Sequence, residues 1–324
     1  MADGASHANA VHRIAASPTT VQRGIIDPQA AFIAQVRSGD TILLDTMTMW
    51  NGAVGPDLDV ATALSLRDKG KAAGRGPHSL TGPIAVEGAK PGDTLRIDIE
   101  RLDVADHGIN MIFPGAQSRA LLPDLFPDAE LRHFVLDRRT MTTQLCEGVT
   151  IPLRPFLGIM GVLPADGPPR SSAIPGSFGG NIDCPDLVEG STIFLPVFVA
   201  GGGFYAGDAH AAQGCGEVVQ TALETSIEAQ LRLTIVDGPA IGRPRAETRD
   251  HLITMGFSAD LREAARQAVT DMITLLVATR GMKPSDAYAL CSLQADLLVT
   301  QIVNGENGIH VRVPKAIFTG GTPR

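Results

Sequence analysis

No two of the four cysteines (Cys146, Cys184, Cys215 and Cys291) stand at CxxC spacing, which removes a zinc knuckle and leaves no sign of a disulfide framework. Basic clusters are equally scarce. A formal charge of −8 and a pI near 5.5 argue against the concentrated Lys and Arg face that phosphate recognition demands, so no nucleic-acid partner is expected. No stretch approaches the roughly 18 continuous apolar residues of a membrane span. The first twenty residues also lack the roughly 7–15-residue apolar run of a secretory leader. A cytoplasmic protein with no membrane partner is therefore the expectation. Aromatic residues make up only 4% of the chain and Trp50 is its one tryptophan, so no stacking platform for a large aromatic ligand is evident. What remains is a chain of 324 residues, 44% apolar and 19% charged, with 35 glycines. That composition describes a loop-rich globular protein with enough apolar material for one large core or two smaller ones.

From about residue 20 to 240 the hydrophobic pattern has period two. Leu95, Ile97 and Ile99 alternate with Arg96, Asp98 and Glu100, and Leu231, Leu233 and Ile235 alternate with Arg232 and Thr234; each set predicts a strand with one wet face. Ile193 to Val199 is apolar on both faces apart from Pro196, which reads as a buried strand that tolerates proline at an edge or bulge. Turn signals such as Pro91-Gly92-Asp93, Glu189-Gly190-Ser191 and Asp237-Gly238 separate such runs. The period then lengthens. With Ser258 as its N-cap, a helix is expected through Leu261, Ala264, Ala268, Met272, Leu275 and Leu276, stopped by Gly281. Ser285 opens a second helix expected to run through Leu297 and Ile302 to Asn304-Gly305, followed by a strand of Ile309, Val311 and Val313. The fold class is therefore mainly β (α+β). It comprises an N-terminal extension over 1–20, a β-sandwich-like body over 21–245, and a smaller C-terminal helix-helix-strand part over 246–324.

Chemistry-bearing side chains concentrate in three segments. His78 lies in the turn-rich Gly76–Pro83 loop, where a lone histidine reads first as a turn-capping residue. Asp183 follows Gly179-Gly180-Asn181-Ile182, and alone it too reads as a turn residue. The third segment, Gly207 to Glu217, is denser. Asp208 and His210 stand two apart, so on a strand they share a face. Gly214-Cys215-Gly216 can then reverse the chain and return Glu217 toward them. Histidine with two acids suits a borderline divalent cation, zinc first and calcium second, that leaves a coordination position for water. Such an ion lowers the pKa of its water to about 7, and a nearby carboxylate can shuttle the proton. The same residues can equally satisfy one another in a polar core.

The motifs resemble those of a known family. Gly76-Pro77-His78 with Thr81-Gly82-Pro83, Val86-Glu87-Gly88-Ala89, Pro91-Gly92-Asp93 and Pro155-Phe156-Leu157-Gly158 through Gly161 come in its order. Gly179-Gly180-Asn181-Ile182-Asp183, Gly207-Asp208-Ala209-His210-Ala211-Ala212-Gln213-Gly214, Gly216-Glu217-Val218 and Val313-Pro314-Lys315 follow. Over about residues 20 to 320 the chain resembles the acetamidase/formamidase family of metal-dependent amidohydrolases. The resemblance implies hydrolysis of a short aliphatic amide to carboxylate and ammonia, a mainly β body with a smaller α/β part, and a homo-oligomer. A γ-lactam, as used by some similar proteins, is the alternative substrate. It implies a polar site of His78, Asp183, Asp208, His210 and Glu217. Within that set we expect His78, Asp183 and His210 to hold the metal, and Asp208 and Glu217 to do the catalytic proton work. Asn181, Gln213 and Cys215 are expected to contact substrate or support these groups.

Two departures from the family's pattern stand out. Cys215 occupies a position where many members carry aspartate, which trades a charge for a softer sulfur and bears on metal preference. Gly201-Gly202-Gly203 stands where a bulkier residue is common, which would loosen the approach to the site. Three rival readings remain at this stage. One is a cysteine-nucleophile amidase using Cys184 or Cys215, although the chain has no lysine between Lys90 and Lys283. Another is a serine amidase built on Gly176-Ser177-Phe178-Gly179-Gly180, which lacks the tandem serine and lysine base. The last is a metal-binding β module without turnover, whose site would be closed rather than open to water.

Overall fold

The computed structural model describes residues 9–115 and 118–319. Its body is two nine-stranded sheets. The alternating runs read from the sequence lie side by side in the first. Thr94–Val104 pairs antiparallel with Ile227–Val236 so that Ile99 stands opposite Leu231 and Ile97 opposite Leu233. All of these side chains are buried, while Arg96 and Arg232 point to solvent. Thr192–Pro196 pairs with the other edge of Thr94–Val104, shorter than the run to Val199 and ending at its proline.

The second sheet carries Phe156–Gly161 beside Phe204–Ala212, with Ser79–Val86, Leu223–Thr225 and Gly179–Asn181 around them. Both central strands are buried almost throughout, because one face packs on the first sheet and the other is covered by loops. Ile97 and Leu231 from one sheet share a single apolar cluster with Ile159, Leu157 and Phe204 from the other. This is a sandwich core. Each such leucine or isoleucine contributes about 1.5–3 kcal/mol by burial.

The C-terminal strands His251–Ser258, Asn307–Pro314 and Asp296–Gln301 continue the first sheet to its far edge. The helix Leu261–Arg280 lays Ala264, Ala268, Met272, Leu275 and Leu276 against them. Gly281 ends it in the left-handed conformation, as the sequence predicts. Its N-cap is Asp260 rather than Ser258. The Asp260 carboxylate accepts the free N–H groups of Arg262 and Glu263 at 2.7 and 3.1 Å, and a carboxylate at that position also suits the helix dipole. The second helix begins with Pro284 at its first turn and stops at Gln294. Leu297 and Val299 lie instead on a strand paired with Val311 and Ile309; the cross-strand partner outweighs the helical spacing of the leucines. Among the described residues no helix is long and apolar enough to cross a membrane.

Candidate active site

One end of the second sheet gathers the polar residues. Asp208 and His210 ride the Phe204–Ala212 strand, His78 directly precedes Ser79–Val86, and Asp183 follows Gly179–Asn181 by two residues. Glu217 comes in by a turn that is itself pinned from the C-terminal part. The Gly216 N–H donates to the Thr300 carbonyl at 3.0 Å, and the Ile302 N–H donates to the Gly216 carbonyl at 3.1 Å. The loop after Asp296–Gln301 then brings Asn304, whose amide donates to Asp183 Oδ2 at 2.6 Å. The C-terminal part thus closes one side of the site.

Three acids here, Asp183, Asp208 and Glu217, hold positive φ angles of 51°, 54° and 48°. Aspartate tolerates that conformation better than glutamate, and each such residue costs on the order of 1–3 kcal/mol. The positive φ at Asp208 also interrupts the pleat, so that its carboxylate meets the His210 ring: Asp208 Oδ2 lies 3.6 Å from His210 Nε2 and 3.6 Å from His78 Nε2. His210 Nε2 is 3.3 Å from Glu224 Oε2, and His210 Nδ1 is 3.9 Å from Asp183 Oδ1. His78 Nδ1 meets the Ser172 hydroxyl at 2.8 Å, which fixes its ring. The potential ligand atoms of Asp183, Asp208 and His210 lie within 4.8 Å of one another, and so do those of His210, Glu217 and Glu224.

All of these groups are buried, and that sets their protonation. Burial pushes the Asp183 carboxyl up to about 7, with Asp208 repelling its charge as well. Burial and then Asp183 hold Glu217 well above the ordinary carboxylate range. Asp208 goes the other way: burial opposes its charge, but His78 and His210 outweigh it and hold the carboxyl below the usual value. Burial likewise opposes the charged form of His210, yet Glu224 and Asp208 prevail and raise it. Four carboxyl groups therefore face two imidazoles in a buried cluster, and several atoms go unsatisfied. Asp183 Oδ1, Glu217 Oε2 and both ring nitrogens of His210 are buried without a hydrogen-bond partner. Buried polar atoms left unpaired are costly, and a divalent cation would engage one His210 nitrogen together with neighbouring carboxylate oxygens. The donor set fits such an ion.

The cluster opens onto a cavity of about 420 Å³, whose inner wall includes His78, Asn181, Asp208, Glu217, Glu224 and Asn304. Trp50 and Phe113 line it further out, so the few aromatics are placed at the site although their number gave no sign of it. Trp50 reaches it from a left-handed turn whose N–H donates to the Pro77 carbonyl at 2.8 Å.

His78, Asp183, Asp208, His210 and Glu217, singled out in the sequence, are thus brought together here. Asn181 lines the same cavity, with its Oδ1 buried and unpartnered. Gln213 sits behind the cluster and donates to the Asp183 carbonyl at 2.9 Å. Cys215 lies on the outer turn, exposed, along a separate cavity of about 470 Å³. Both candidate nucleophilic thiols are kept protonated: burial raises Cys184, and burial with Asp186 raises Cys215. Neither lines the cavity at the cluster. Gly201, Gly202 and Gly203 do not line it either. Gly203 abuts Leu163 and Gly201 abuts Phe32, so these positions serve a tight turn in the core and do not loosen the approach.

Sequence reasoning missed Glu224, Asn304 and Gly158. A Cβ on Gly158 would stand 2.5 Å from Asp183 Oδ1 and 2.8 Å from His210 Cε1, so that strand needs glycine opposite the cluster. A glycine in mid-strand was the available signal. Glu224 sits in Ala222-Leu223-Glu224-Thr225, with no glycine or histidine beside it to mark it.

Comparison with known proteins bears on the fold and the family. A formamidase from Methylophilus methylotrophus is 27% identical over a 307-residue alignment that covers 76% of this chain and 74% of that protein. The crystal structure of acetamidase from Yersinia enterocolitica superposes with a TM-score of 0.85 at 27% identity, covering 97% of this chain and 94% of that one. The acetamidase from Bacillus halodurans gives a TM-score of 0.83 at 28% identity, with 93% and 97% covered. The model of the Acetamidase/Formamidase family matches residues 23–173 and 168–320, and on these grounds the chain belongs to the acetamidase/formamidase family.

Proposed function

We propose that this chain, an amidohydrolase by its family, hydrolyses a short aliphatic amide to carboxylate and ammonia at the Asp183–Asp208–His210–Glu217 cluster, with a divalent cation bound there. The observation that carries the reading is the set of buried, unpartnered atoms on Asp183, His210 and Glu217, some of which a cation would engage. Asp183, Asp208 and His210 would hold it; Asp208, expected from the sequence to do proton work, thus takes the ligand place expected for His78, which is held against Asp208 as Glu224 is against His210. Zinc suits the imidazole nitrogen better than calcium, which prefers an all-oxygen shell. When bound, the ion polarises the amide carbonyl and acidifies a water.

The remaining work falls to the protein. Glu217, a buried carboxyl whose affinity for protons is raised by its surroundings, accepts a proton from the attacking water. It then returns that proton to the departing nitrogen, so ammonia leaves neutral. Asn181 and Asn304 line the cavity where the substrate amide would lie. Gly158 keeps the space behind the carboxylates clear.

Self-association belongs to the same proposal. It is supported by exposed apolar side chains on one stretch, Leu121, Leu122, Leu125 and Phe126, of a kind that marks contact surfaces. The catalytic proposal is tested by ammonia release from formamide, acetamide, propionamide and a γ-lactam by wild type and Glu217→Gln. Wild type should turn over at least one linear amide, and the variant should lose about 10²–10⁴-fold in kcat, the range of a general acid-base group. Wild-type turnover in the variant would remove Glu217 from the chemistry.

A further inference from the structure

The cavity that ends on Asp208, Glu217 and Glu224 has an oppositely charged outer end. Arg67 and Lys71 lie four residues apart on the Val60–Ala72 helix, hence on one face, and both line the cavity. Arg75 and Arg119 line it as well. Among the described residues, the carboxylates that line this cavity are the three at its inner end. The outer cations feel one another. Partial burial, then Arg67 and Arg119, hold the Lys71 ammonium below its ordinary range, with Asp68 opposing.

Arg67 is the most constrained of them. Its Nε donates to Asp68 Oδ1 at 3.1 Å, and its guanidinium carbon sits 5.0 Å from the centre of the Phe113 ring. Its Nη1 is buried with no hydrogen-bond partner. A buried guanidinium donor left without an acceptor is a cost that a bound anion removes. The volume points the same way. At about 420 Å³ the cavity is in the range that encloses ligands much larger than acetamide.

On the reading that this cavity is the amide-hydrolysing site, we propose that its substrate is an amide with an anionic group at the end remote from the amide, of the class of dicarboxylic acid monoamides. The carboxylate is held at the outer end by Arg67 and Arg119, whose planar guanidinium groups match it. The neutral amide is then the end that reaches the cluster. The outer cations thereby select the orientation in which the carbon–nitrogen bond meets Glu217. Water adds to the amide carbonyl, one of its protons passes to nitrogen as the carbon–nitrogen bond breaks, the other passes from the new carboxyl to the released ammonia, and a dicarboxylate and ammonium result. The reaction that supplies this substrate must be one that makes or unmasks a carboxylate on an amide-bearing chain.

The test compares kcat/KM for succinamate with that for isocaproamide, its neutral counterpart of similar shape. We expect a preference of about tenfold or more for succinamate, held mainly in KM, and shrinking as salt rises because the outer cations are partly solvated. Arg67→Gln and Arg119→Gln should each bring the ratio toward one. Succinate should raise the melting temperature of the wild-type protein more than acetate does. Arg119 is exposed, so its variant carries the test if Arg67→Gln folds poorly. Hydrolysis of both amides without preference overturns this inference and leaves the proposed reaction standing. Hydrolysis of acetamide but of neither of these two overturns the inference alone, and hydrolysis of none of the three by metal-replete enzyme overturns the reaction itself.

Discussion

Replacing Gly158 by alanine would set a methyl carbon 2.5 Å from Asp183 Oδ1, 2.8 Å from His210 Cε1 and 2.9 Å from the Asp208 carbonyl oxygen. None of these can retreat cheaply. Asp183 is tied at Oδ2 to Asn304 at 2.6 Å and at its carbonyl to Gln213 at 2.9 Å. The Asp208 oxygen belongs to the backbone of a buried strand. Overpacking of this kind costs about 1–3 kcal/mol, and with three contacts below 3.0 Å the upper half of that range is expected. Taking about 1.5 °C per kcal/mol, from about 2.1 cal/mol/K of unfolding entropy per residue over 324 residues, Gly158→Ala should melt roughly 3–5 °C below wild type. It should also lose bound metal and amidase activity, since the displaced groups are Asp183 and His210. Gly242, which has open space around it, supplies the control, and Gly242→Ala should behave as wild type. Unchanged melting temperature, metal content and ammonia release in Gly158→Ala would refute the packing argument.

Other substitutions probe separate links. Glu224→Gln removes the carboxylate 3.3 Å from His210 Nε2; metal affinity should fall about 10–100-fold, the range for a group that orients a ligand, as read by chelator competition. Cys215→Asp should leave metal content unchanged by elemental analysis, because the thiol lies on the outer turn near Asp186, Arg154 and Arg312. Asp40 tests the first sheet. Burial opposes its charge, but the N–H groups of Arg37 and Ala10, and His12, hold its carboxyl below the ordinary range. A lowered folded-state pKa means the stabilisation is present above the unfolded value of about 3.9 and lost as pH falls through the folded one. The melting-temperature gap between wild type and Asp40→Asn should therefore hold from neutrality to about pH 5 and close below about pH 4. A gap that widened on acidification would contradict this.

The strands were legible wherever one face meets water. Ile97 and Ile99 alternate with charged residues because Arg96, Asp98 and Glu100 face outward. The helix ending at Gly281 declared itself by its apolar stripe and its cap. The Val60–Ala72 helix did not, since only Ala63 is buried and Gly70 interrupts it; a surface helix without a stripe leaves no periodicity to read. Leu290, Leu293 and Leu297 are spaced like a helix face, yet Leu293 and Leu297 are exposed, so their spacing reports no burial at all. At the site, Asp208, His210 and Glu217 were visible because one short segment carries them. His78 and Asp183 were marked by their glycine-rich loops but read alone as turn residues, and the family resemblance joined them to the site. Asn304 reaches Asp183 from a loop 121 residues on, and Glu224 stands opposite His210 on the neighbouring strand; local pattern records neither the long closure nor the register.

The central claim is that the buried carboxylates and histidines hold a divalent cation on which amide hydrolysis depends. Its most direct test is ammonia release from acetamide and succinamate by protein of known metal content, before chelation, after it, and after zinc is restored. Metal should be near-stoichiometric as purified, activity should be lost with the metal, and zinc should restore it. Full activity in protein freed of metal would contradict it.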